Sequence, residues 1–191
     1  MKQPYESALP RNDRILSALS HAGFLLWGYG GFFPAMFWSI RRKESTYTAF
    51  QSLQALAYQV ISVIVYTVII LVLLIVLVPL SAPLIRASME GAAPEIGDFI
   101  VWLIFIGLMV FLALAITLLG LAGTIACLMG RNFRYPWIGM WIERQLKQPA
   151  FSVDGIPYRD AEERIMAALC HLNVILVITG TLVPFIIWVM E

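Results

Sequence analysis

The chain holds two imidazoles, His21 and His171, and they lie 150 residues apart in matching phrases: "RILSALSHAGF" at Arg14 to Phe24 and "RIMAALCHLNV" at Arg164 to Val174. A neutral imidazole on an apolar helix has two uses. It can be an axial ligand for haem or a chlorophyll-type pigment, or it can hydrogen-bond across a helix interface. No carboxylate or second His lies three or four positions from either residue, so a helical di-metal site is not suggested. Phosphate loops, nucleophile elbows, zinc spacings and paired carboxylates are also missing, and the expectation is a non-enzymatic protein with no cofactor. Haem or pigment ligation through His21 and His171 stands as the alternative.

The elements around the histidines repeat as well. At an offset of 150 the pairs Arg14/Arg164, Ile15/Ile165, Ala18/Ala168, Leu19/Leu169, His21/His171, Leu26/Leu176, Gly30/Gly180, Pro34/Pro184 and Trp38/Trp188 are identical. Two unrelated apolar segments would share Leu and Ile by chance, but not Arg, His, Gly, Pro and Trp in one register. This is read as an internal repeat. Each copy starts with an acid and an arginine, runs helical, and breaks at Gly28, Gly30, Gly31 and Pro34 in the first copy and at Gly180 and Pro184 in the second. "DAEE" at Asp160 to Glu163 has the form of a capping box and places a helix start just before Arg164.

The solvent for these elements is lipid. Sixty per cent of the 191 residues are hydrophobic and 13% are charged, and mean hydropathy is +0.82. That composition excludes an ordinary soluble domain. Val60 to Leu80 and Phe99 to Gly130 carry no charge, and each exceeds the roughly 20 residues that cross a bilayer. The N-terminus has no cleavage pattern after a short apolar core, so no signal peptide is expected. Cys127 and Cys170 sit in apolar runs and read as packing residues. Nothing points to nucleic acid.

The expected fold is all-α: a polytopic integral membrane protein with two long transmembrane helices and Gly/Pro-broken segments, re-entrant or kinked, repeated at both ends. The segments are a tail at 1–12, the first broken segment at 13–46, a span at 47–80 ended by Pro79 and Pro83, an outside loop at 81–97 and a span at 98–129. An interfacial aromatic and basic helix at 130–149, a linker at 150–162 and the partial second copy at 163–191 follow. On the first span Gln51, Gln54, Ala55, Tyr58, Gln59, Ser62 and Tyr66 share one helical face, suited to sheltering broken backbone or to lining a path for a solute or peptide. The second span carries a small-residue packing face of Thr117, Gly120, Gly123, Thr124 and Cys127. The interfacial anchors are Arg41, Arg42 and Lys43, and in "RNFRYPWIGMWIERQLKQP" Arg131, Arg134, Tyr135, Trp137 and Trp141.

Arg14 to Ile40 makes about 40 Å of helix, too short to cross twice and long for one crossing. Charge favours a re-entrant hairpin. If the segment dips in and returns, twelve of the thirteen Lys and Arg share one face and only Arg86 lies on the other. If it crosses once, the split is nine against four. The positive-inside rule prefers the first arrangement and makes the basic loops cytoplasmic, in a bacterial cytoplasmic membrane.

An Arg-led helix with "ALSH", a Gly/Pro break running into "FWSIRRKES", then "FQSLQA" opening a long apolar helix, a second apolar helix and a closing "RNFRYPWIG" resemble a bacterial membrane domain of unknown function. That domain is related to the twenty-kilodalton subunit of the chloroplast inner-envelope protein translocon. The resemblance covers Asp13 to about Ile142, with His21, Gln51, Gln54 and Tyr135-Pro136 at matching positions. It implies a fold more than an activity. The functional expectation is a scaffold or accessory subunit of a membrane complex that binds the bilayer and other membrane proteins or itself. A translocon-like conduit for a solute or peptide, and a pigment-binding subunit, are the alternatives.

Overall fold

The computed structural model describes residues 9–91, 96–146 and 162–174. Among these the chain is all-helical: α1 (Arg11–Ala22), a 3-10 stretch (Gly23–Gly31), α2 (Phe32–Arg41), α3 (Thr46–Met89), α4 (Ile96–Leu128), α5 (Ile138–Leu146) and a further helix, α6, over 162–174. The linker, the Asp160 cap, and Gly180, Pro184 and Trp188 of the second copy lie outside the described residues. The chain divides into two compact units, Met1–Val63 with Leu119–Glu191, and Ile64–Leu118.

In the first unit, α1 and α2 form a helical hairpin. Arg41 at the end of α2 pairs with Asp13 in the first turn of α1 at 2.7 Å, which closes the base. At the other end Gly23 meets Gly30. A Cβ on Gly23 would stand 2.6 Å from Gly30 O, and one on Gly30 would overlap the Gly23 carbonyl. The break therefore begins at Gly23, earlier than the Gly28 to Pro34 cluster suggests. Gly30 is needed there because the two backbones touch. Pro34 sits in the first turn of α2, where its missing N–H costs nothing.

Ser45 caps α3 by accepting the Thr48 backbone N–H at 3.2 Å. All ten residues from Gln51 to Val60 are buried, whereas Ile61 and most residues after it up to Leu80 are partly or fully exposed. The helix does not stop at Pro79 and Pro83 but runs on to Met89. Proline deletes one backbone donor without forbidding helix on its C-terminal side, and an apolar environment strongly favours keeping every other backbone pair. α4 ends on Gly130, which has φ +72°. Gly130 N–H bonds to Cys127 O and Arg131 N–H to Ala126 O, both at 2.9 Å, a Schellman closure that satisfies the last carbonyls.

Two stretches, Thr46–Ala82 and Ile100–Leu128, are long and apolar enough to cross a membrane. Their most apolar windows are 11% and 0% buried by protein. A soluble protein would bury such helices in a core, so their exposed apolar surface belongs to a membrane protein.

Candidate functional site

The polar residues that the sequence singles out converge at one end of α3, in the first unit. His21 is fully buried on α1, with Nδ1 2.9 Å from the Tyr135 hydroxyl and Nε2 3.0 Å from Gln51 Oε1. Gln51 Nε2 is committed elsewhere, donating to Asn132 Oδ1 at 2.8 Å and Phe133 O at 3.1 Å. Gln51 Oε1 is therefore an acceptor, which assigns the proton of His21 to Nε2 and leaves Nδ1 to accept from Tyr135. Gln54 repeats the pattern one turn on. Its Nε2 donates to Phe133 O at 3.2 Å and its Oε1 accepts the Tyr135 backbone N–H at 3.3 Å. Gln59 Nε2 donates to Ser20 O at 3.0 Å, and the Ser20 and Ser52 hydroxyls meet at 2.9 Å. Gln59 Oε1 and Ser17 Oγ are buried without a partner among the described residues.

Aromatic rings wall this cluster. Tyr58 stacks on Tyr135 with centroids 4.1 Å apart and planes 6° from parallel, and Phe133 sits edge-on to His21 at 5.6 Å. Burial lowers the His21 pKa to about 4, partly opposed by the Gln51 hydrogen bond, so the imidazole is neutral. Both ring nitrogens are occupied by hydrogen bonds. His171 is on the exposed face of α6. The two histidines thus have unlike surroundings, His21 hydrogen-bonded at both nitrogens in the interior and His171 exposed.

Other expected residues fall into different roles. Tyr135, expected among the interfacial anchors, is 1% exposed because its ring and hydroxyl complete the His21 cluster. Ser62 and Tyr66 are half-buried, beyond the cluster on α3. On α4, Gly120 and Gly123 face the chain's own Phe24 and His21, where a Cβ on Gly123 would stand 2.9 Å from His21 Nδ1. Cys127 Sγ lies 3.6 Å from Gln51 Oε1, Thr124 Oγ1 bonds back to Gly120 O, and Thr117 is exposed. At Gly120, Gly123 and Cys127 the small-residue face is filled from within. Arg42 pairs with Glu163 of α6 and lies 4.8 Å from the Trp38 ring centroid, while Trp38 Nε1 donates to Glu162. Asp13 and Glu163, 150 residues apart, thus take the successive arginines Arg41 and Arg42. Lys43 and Arg131 are exposed, Arg134 pairs with Glu143 at 2.8 Å, and Trp137 and Trp141 are 79% and 46% exposed.

Sequence reasoning missed Ser20, Ser52, Asn132 and Phe133. The hydroxyls were visible as polar letters inside apolar helices; the Phe133 carbonyl, which takes two glutamine amides, has no side-chain signature. Among the described residues no group of three His, Cys, Asp or Glu could hold a metal.

Residues 12–142 match the magnetosome magnetite crystal formation protein family, MamF/MmsF. The chain belongs to that family. The match spans the hairpin, both long helices, the Asn132 to Tyr135 strap and half of α5, so every residue of the His21 cluster lies inside the family region. MamF/MmsF proteins are magnetosome membrane proteins involved in crystal formation, and theirs is not a known enzyme family. The relation to the chloroplast translocon finds no support beside this match. No curated protein and no solved structure matches the chain.

Proposed function

We propose that the chain is a non-enzymatic accessory subunit of the magnetosome membrane that acts on crystal formation through what it holds in place rather than through a reaction or a transport path. The observation that carries this reading is the use of the polar residues. His21, Gln51, Gln54 and Tyr135, the groups best suited to line a conduit or ligate a cofactor, bond to one another and to the strap at Asn132 and Phe133. A path for ions needs polar groups facing water, and these face each other. Their arrangement ties α1, α3 and the segment after α4 into a rigid mount, the usual basis for a scaffold.

The test pairs a cell with a vesicle. In a magnetite-forming bacterium, deleting the gene is expected to change crystal size while total cellular iron stays constant, and a tagged copy should fractionate with magnetite-bearing vesicles. Liposomes holding the purified protein should be no more permeable to ferrous iron than empty ones. Iron flux that Gln54→Leu and Gln59→Leu abolish would replace the scaffold with a conduit.

A further inference from the structure

The inner side of α5 is pinned to the cluster, and its outer side is exposed among the described residues. Ile142 is 0% exposed, and a Cβ on Gly139 would stand 2.7 Å from Gln54 Oε1, so the helix cannot roll. Trp137, just before the helix, and Met140, Trp141 and Arg144 on its opposite face then lie away from the cluster. The first three are 79%, 50% and 46% exposed, and Arg144 is exposed as well. Trp137 is also the one non-glycine residue with positive φ among the described residues, at 61°, and Ile138 N–H bonds across it to Pro136 O at 2.7 Å. This γ-turn is a strained geometry for a bulky residue, and it turns the ring outward.

We propose that this face of α5 is a docking surface for anionic lipid headgroups on the basic side of the membrane. Depth supports it. Gln54, against which α5 rests, lies seven residues before Ile61, the start of the exposed apolar run on α3, or about 10 Å along the helix. Each headgroup layer is roughly 5–8 Å thick, so α5 lies at its outer edge, from which long Trp and Arg side chains reach the headgroups. Chemistry agrees: tryptophan rings prefer the membrane interface, and Arg144 with the exposed Arg131 offers charge to phosphate. Area argues against a protein occupant. The two tryptophans and Met140, 79%, 46% and 50% exposed, offer roughly 400 Å² on one side, below the roughly 500 Å² per partner of an interface of about 1,000 Å² in total. The surface continues an existing membrane contact, since α4 ends only ten residues before α5 begins. The proposal rests on the membrane spans and not on the role in crystal formation.

The test uses the full chain in liposomes, with Cys127 and Cys170 replaced by Ala and an environment-sensitive fluorophore on Met140→Cys. Ile75→Cys, in the exposed part of α3, serves as the deep reference, and Lys43→Cys as the aqueous one. The Met140 probe should be quenched more by lipids spin-labelled near the headgroup than by lipids labelled near the chain end, the reverse of Ile75, and should resist iodide. Quenching by spin-labelled phosphatidylglycerol should exceed that by phosphatidylcholine, and Arg144→Gln should cut that preference about fivefold. Iodide access like that at Lys43 overturns the proposal, and so does shielding from iodide and lipid alike, which would mean a protein covers the face. Equal quenching by the two lipids removes the anionic preference. Should the Met140→Cys protein fail to fold, Arg144→Cys places the probe on the same face, and native emission compared with Trp137→Phe/Trp141→Phe gives a label-free reading.

Discussion

Removing the His21 side chain would strand the buried Tyr135 hydroxyl and leave buried Gln51 Oε1 with only the weak Cys127 thiol donor. Each stranded group costs about 1–3 kcal/mol, and the vacated volume adds to that. His21→Ala is therefore expected to lower the thermal midpoint in detergent markedly, whereas His171→Ala, on an exposed face, should stay within about 0.5 kcal/mol of the parent. Equal losses from the two substitutions would refute the asymmetry. Acid provides a second test at the same residue. The folded pKa of about 4 lies below the ordinary imidazole value of 6.5, so between these values the unfolded chain binds a proton that the folded one refuses. Stability is full above pH 6.5 and falls as pH drops toward 4, by about 3 kcal/mol at 1.36 kcal/mol per unit. The melting midpoint should decline over that window, and His21→Gln should flatten the decline. The sequence marked both histidines alike because it reports neighbours along the chain, while burial is decided by Gln51 and Tyr135, far away in sequence.

At the scale of elements, the hairpin depends on a backbone contact that no side chain can share. Gly30→Ala would drive a methyl group into the Gly23 carbonyl, costing about 1–3 kcal/mol or more by overpacking. Gly107→Ala, with nothing within 4 Å of the added atom, should be neutral or stabilise by up to about 1 kcal/mol through helix propensity. Thermal midpoints of the two proteins in the same detergent decide the matter, and a harmless Gly30→Ala would show that the hairpin can be closed another way. Helix starts and stops with local causes, such as the Ser45 cap and the Gly130 closure, are legible in sequence. The passage of α3 through Pro79 and Pro83 is not, because proline's rule was learned where water competes for the freed carbonyls. The inward use of Gly120 and Gly123 was equally hidden: small residues announce close packing without saying whether the neighbour is the chain itself or another protein.

For the whole molecule the open physical question is which ends share a side of the bilayer, and the base of the hairpin bears on it. Asp13 and Arg41 stand 2.7 Å apart, so the start of α1 and the end of α2 are at one level. Neither α1, at 12 residues, nor α2, at 10, reaches the roughly 20 needed to cross. The exposed Leu25, Leu26 and Phe32 near the turn suit contact with lipid at the edge of the hydrocarbon, not passage through it. Single cysteines at Arg11, Lys43 and Arg131, in a chain lacking Cys127 and Cys170, should therefore react with a membrane-impermeant maleimide from one side, and a cysteine at Glu90 from the other. Reaction of Arg11→Cys and Lys43→Cys from opposite sides would mean the hairpin opens and spans, which the Asp13 to Arg41 pair would have to break to allow. Charge counting along the sequence predicts the same sidedness from a different cause, since it weighs where arginines are tolerated and the ion pair fixes where two of the chain's segments meet.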